Sequence, residues 1–148
     1  MKKLILISFL LVFGISNAQK KKKNEPQSII SEKVAIKKYH NIDELNRMQK
    51  GELLGLYIER IKSLVQTLPY IAFTTKPGKT MSTFGIPNTK ENRKTLENNI
   101  DATNDFLETT IEFQKKMLPY SDKSNLIAAI LFYEETMKSL HEYSEFRE

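Results

Sequence analysis

Apolar residues fill positions 4–15 almost without interruption; beyond them they recur at helical spacing in three long stretches. Asn41 is placed to cap the first stretch, with Glu44 at N3 reaching back to complete a capping box. At 100° per residue, Leu54, Tyr57, Ile58, Ile61, Leu64, Val65 and Leu68 fall within about 120° of arc, opposite Glu52, Glu59, Lys62 and Gln66. That is the pattern of a core-facing helix running to about Leu68, where Pro69 stops it. Ile42, Leu45 and Met48 lie on another face, and Gly51 and Gly55 sit at the change, so a bend or break is expected near 51.

A second capping box, Asn88-Thr89-Lys90-Glu91, opens a helix expected to reach Leu118. Leu96, Ile100, Leu107, Ile111 and Leu118 make one apolar stripe; Phe106, Phe113 and Met117 make another. Two apolar faces predict two packing neighbours. After Pro119, Ser121 or Asp122 can cap a third helix to about Tyr143, striped by Leu126, Ile130, Tyr133, Met137 and Leu140. The short break makes the last two helices antiparallel neighbours. The expected fold is an all-α, up-down-up bundle of three long helices, with an irregular or small-hairpin insertion between the first and second.

Two segments escape these periods. Residues 28–39 suit a helix through Ile30, Val34 and Lys38, and a strand through Val34 and Ile36. Residues 70–87 contain Lys76-Pro77-Gly78-Lys79, a good type II turn, between flanks rich in Thr, Phe and Ile. A connection this long is usually functional, disordered or misassigned, and its apolar content argues against disorder.

The N-terminus adds a location. Met1-Lys2-Lys3, the apolar run Leu4–Ile15 and Ser16-Asn17-Ala18 form the three parts of a secretory signal peptide over 1–18, cleaved before Gln19. About 12 apolar residues is too short for a membrane span, which needs about 20, and no later stretch is longer. The mature chain is therefore expected to carry no transmembrane segment. With no cysteine in its 148 residues, the chain has no lipid-anchor site, disulfide, thiolate zinc site or cysteine nucleophile. The expectation is a periplasmic or secreted protein that is not a lipoprotein: a disordered basic tail over 19–27, then one helical domain over 28–148.

The formal charge of +5 would suggest nucleic acid, but its distribution does not. Six basic residues are Lys2, Lys3 and the run Lys20–Lys23; taking those six from the 23 basic residues leaves 17, against 18 acidic. A nucleic-acid domain carries its basic stripe on the folded body. Here the basicity sits in a tail, which serves as a solubilising spacer or is drawn to anionic head groups.

Catalytic chemistry is sparse. The chain has two histidines, His40 and His141, and no G-x-S-x-G elbow, phosphate loop or dinucleotide fingerprint. Glu134, His141 and Glu145 share a helical face, but Lys138 lies among them, so neither a metal site nor a cofactor is expected. The features left are surfaces. Glu97, Asp101, Asp105, Glu108 and Glu112 form an acidic stripe on the second helix, either a solvated face or a surface for a cation or basic partner. Tyr70, Phe73, Phe84 and Ile86 could line a pocket mouth, form a docking patch or close the end of the core. The expected function is that of an exported, non-catalytic helical protein binding a partner in the cell envelope. The alternative is a periplasmic carrier of a small apolar ligand within the helical bundle, walled by Phe106, Phe113 and the 70–87 connection.

Overall fold

A computed structural model of the chain describes residues 26–145, with side chains to position 142. The expected signal peptide over 1–18 and nearly all of the expected basic tail over 19–27 lie outside the described residues. Four α-helices follow one another: α1 (Ile42–Arg47), α2 (Lys50–Thr67), α3 (Lys90–Met117) and α4 (Lys123–Glu145), the last three long. Among the described residues there is no strand; one isolated antiparallel bridge joins Ser28 to Thr80. The protein is an all-α bundle.

The starts of the helices follow local chemistry. Asn41 and Glu44 form the expected capping box of α1. The chain then breaks at Met48–Gln49, slightly before the glycines, because the Glu52 carboxylate accepts from the Gln49 N–H and opens a new helix there. The cap of α3 is Thr89 rather than Asn88: the Thr89 hydroxyl accepts from Asn92 N–H at 3.1 Å, while the Asn88 carbonyl accepts from Arg93. Position N3 is therefore Asn92, and no reciprocal box with Glu91 forms. Both α2 and α3 end in a 3₁₀ turn of sequence Leu-Pro-Tyr, as proline removes the next helical N–H.

Cross-helix pairs give the directions. Gln66 meets Asn104, Tyr70 meets Asn99, and Tyr57 meets Gln114, so α2 and α3 are antiparallel. Tyr57 meets Tyr133 and Arg60 meets Glu134, so α2 and α4 are parallel. This is the up-down-up order. However, α3 and α4 are not packed on one another as their short connection suggested. Both pack on α2, which lies between them, and they share no comparable interface.

Two apolar clusters sit towards the ends of α2. One joins Leu45 and Leu53 to Leu126, Ile127 and Ile130 of α4. The other joins Ile29, Ile30, Tyr70, Met81 and Leu96, and is built by the two segments whose periods were ambiguous. Residues 28–39 are neither helix nor strand as a whole: a 3₁₀ turn at Glu32–Val34 is followed by extended chain. Ile29 N–H donates to the Lys79 carbonyl at 2.8 Å, and Gly78 N–H donates to the Ile30 carbonyl at 2.9 Å. Gly78 has φ +82°, the value the third residue of a type II turn requires. Residues 70–87 are thus an irregular loop with a 3₁₀ turn of its own at Met81–Phe84, and no hairpin forms.

The buried line of α2 is Leu53, Arg60, Ser63, Leu64 and Thr67. It is rotated by about 100° from the apolar stripe, roughly one residue's turn. Leu54, Ile58, Ile61 and Val65 are only half-buried, and Leu68 is exposed. The polar side chains occupy the inner line because each finds a partner there. Ser63 Oγ donates to the Val34 carbonyl at 2.7 Å, and Thr67 Oγ1 donates to the Ser63 carbonyl at 2.8 Å.

Candidate binding surfaces

The centre of the bundle holds an ion cluster that the apolar periods did not reveal. Arg60 and Glu134 are buried, and the His40 side chain is almost so. Arg60 Nε donates to Glu134 Oε1 at 2.7 Å; its other nitrogens donate to Glu59 Oε1 at 2.8 Å and to the Lys38 carbonyl at 2.7 Å. The His40 backbone N–H donates to Glu134 Oε2 at 2.6 Å, and His40 Nδ1 lies 3.0 Å from Glu134 Oε1. Burial opposes ionisation of Glu134, but the backbone and ring bonds of His40 and the Arg60 guanidinium outweigh it and hold the carboxyl below its usual range. An ionised carboxylate only accepts, so Nδ1 carries the proton in that bond. The cluster ties the extended segment 35–40 to α2 and α4 together. Its Glu134 is the residue expected to share a face with His141; it is spent on Arg60 and His40. Among the described residues no group of three or more His, Asp or Glu side chains is placed to hold a metal.

A broad groove of about 1260 Å³ opens between residues 27–34, α2 and α3. Glu108 and Glu112 line it, with Tyr70 at one end, and Lys62 and Lys115 also reach it. Only these two members of the acidic stripe belong to the groove's lining; Glu97, Asp101 and Asp105 are exposed elsewhere on α3.

The loop residues divide. Tyr70 is buried, its hydroxyl donating to Asn99 Oδ1 at 2.7 Å, and Ile86 packs on the same cluster. Phe73 and Phe84 are 49% and 36% exposed. The loop therefore closes the end of the core with one pair of side chains and presents the other pair to solvent. Between them, Thr74 Oγ1 accepts from the Lys76 N–H at 2.9 Å and holds the approach to the type II turn.

The second apolar stripe of α3 meets no neighbour: Phe106, Phe113 and Met117 are 58%, 62% and 51% exposed. Phe106 and Phe113 thus face outward instead of walling an interior cavity. Beside them, Gln114 is buried between the helices; its Nε2 donates to the Tyr57 hydroxyl at 3.4 Å, which lies 3.2 Å from that of Tyr133. Burial, and next the bond to Tyr57, push the Tyr133 phenol well above its ordinary value.

Comparison with known proteins yields no relative: no family model matches the chain, and no curated protein or solved structure is significantly similar to it. Among the described residues no helix is long and apolar enough to cross a membrane.

Proposed function

We propose that this is an exported, non-catalytic helical protein that binds a partner protein in the cell envelope through the loop after α2. The observation that carries the reading is the division of that loop. Its backbone is fastened to residues 28–30 and its Tyr70 and Met81 are in the core, while Phe73 and Phe84 remain open. Large aromatic side chains held in solvent on a fastened loop fit an anchor role at a protein interface. The signal-peptide pattern of residues 1–18 supports the envelope as the place of action.

The test is site-specific photo-crosslinking in the native host, with the photoreactive side chain at Phe73 or Phe84 in turn and at exposed Asp122 as reference. A discrete adduct to one envelope protein from both loop positions, absent from Asp122, is the expected result. Absence of any discrete adduct at Phe73 and Phe84 overturns the reading.

A further inference from the structure

The groove between residues 27–34, α2 and α3 has two distinct ends. Ile29, Tyr70 and Ile100 belong to one apolar cluster and mark the first end, and Gln27, next to the first described residue, also lines the groove. The second end lies further along α3, at Glu112 and Lys115. Between the two ends the lining includes buried Leu107 and Ile111, with Glu108 and Glu112 exposed beside them.

The two carboxylates are not neutralised. Among the described residues neither Glu108 nor Glu112 has an ion-pair partner. Lys33, Lys62 and Lys115 line the groove as well, but none of them comes within ion-pair distance of either. Asp101 and Asp105 continue the same helical face, so every carboxylate from 101 to 112 has a like charge three or four residues away. Like charges at that spacing oppose one another. A cation laid along this wall would relieve a repulsion that α3 otherwise bears alone.

We infer that the run Lys20–Lys23 of the same chain occupies this groove, its ammonium groups against Glu108 and Glu112. Origin, reach and charge select this occupant. The chain passes the groove at Gln27, so the lysines begin beside it. Lys23 and Lys20 lie four and seven residues before Gln27, a reach of about 13–23 Å for extended chain. Glu108 and Glu112 lie eight and twelve residues beyond Ile100 on α3, about 12 and 18 Å along the helix axis. The reversal this needs falls at Glu25-Pro26-Gln27-Ser28, with proline at the second position of the turn, where it is favoured. Exposed ion pairs are individually weak, but a tether this short sets an effective concentration on the order of mM, so the pairs act together. Held in the groove, the lysine run is withdrawn from anionic head groups. The inference does not rest on the role proposed for Phe73 and Phe84, which lie on the loop beyond the end of α2.

The experiment is zero-length carbodiimide coupling of the dilute protein, purified from the cell that makes it, with the joined peptides read by mass spectrometry. The reagent joins an amine to a carboxylate only where the two touch. The expected result is an intramolecular link from Lys20–Lys23 to Glu108 or Glu112, falling about tenfold at 1 M salt, where the screening length is about 3 Å. Lys20→Glu, Lys21→Glu, Lys22→Glu and Lys23→Glu together with Glu108→Lys and Glu112→Lys exchange the charges, and the link is expected between the same positions, with helical circular dichroism retained. Absence of any link from positions 20–23 to 108 or 112 overturns the inference, and so does failure of the exchanged variant to form one. Links spread evenly over Glu97, Asp101, Asp105, Glu108 and Glu112 overturn it as well, since the lysines then sample the exposed stripe and not the groove. A protein that forms no such link, yet co-sediments with phosphatidylglycerol vesicles through its lysine run, overturns it and assigns the run to anionic head groups.

Discussion

Arg60 Nε and Glu134 Oε1 stand 2.7 Å apart across the α2–α4 interface, both side chains closed to solvent. A pair in this position costs much to desolvate, so its net contribution is small, but removing one partner strands the other. Glu134→Gln is therefore expected to destabilise by about 3–5 kcal/mol. Arg60→Met with Glu134→Leu should recover most of that loss, since neither charge is then left unpaired. Urea unfolding of the two variants decides the matter; equal losses would mean that the pair itself is stabilising.

The same carboxyl sets an acid dependence. Its pKa is lowered in the folded chain, so the stabilisation it gives is present above the ordinary carboxylate range near 4.5 and is lost as pH falls through the folded value. Glu44, lowered by the Lys38 ammonium and the Asn41 N–H, acts in the same direction from an exposed site. Melting temperature should hold from neutral pH to about 4.5 and fall below it. In Glu134→Gln the fall should be shallower, from a lower starting point.

The loop phenylalanines should be dispensable for folding. Phe73→Ser and Phe84→Ser, at exposed positions, are expected to cost under about 1 kcal/mol each. Met81→Ala, which opens the small core beneath them, should cost about 2–5 kcal/mol. A cost for Phe84→Ser as large as that for Met81→Ala would show that the ring is part of the core.

Two glycines should respond with opposite signs. Gly55 lies within α2, and a methyl group there meets nothing within 4 Å, so Gly55→Ala should stabilise by about 0.5–1 kcal/mol. Gly78 has φ +82°, and a methyl group would lie 2.9 Å from Glu32 Oε1. The carboxylate can swing aside, but the backbone cannot, so Gly78→Ala should destabilise by about 1–2 kcal/mol. Thermal melts of the two variants, run in parallel, check both signs.

Helix number, order and approximate limits were legible because capping residues and prolines act locally. Asn41, Pro69 and Pro119 mark the chain wherever it packs. Which face is buried was less legible. Leu54, Ile58, Ile61 and Val65 are as apolar as any core residues, and nothing in their spacing shows that the buried line runs one residue's turn away from them. Arg60, Ser63, Thr67 and Glu134 look like surface residues, and their burial depends on partners at positions 34, 38 and 40 that no helical period connects to them. The cluster could have been sought only by asking why an Arg lies near the apolar arc of α2 and a Glu beside the stripe of α4. The loop from 70 to 87 was recognised as unusual from its length and apolar content, but its division into held and open side chains depends on residues 28–30.

The central place of α2 also bears on how the chain tolerates being cut. Helices α3 and α4 are consecutive, yet each gives its buried line to α2, and their link around Ser121 to Asp122 lies at the surface. A break in that link would remove a covalent joint without opening an interface. The last helix would stay seated through Leu126, Ile130 and Glu134, with Lys123 still donating to the Asn46 carbonyl. Nicked in that link, the chain is expected to keep its helical circular dichroism, because α4 is held by its interface with α2 and not by the joint.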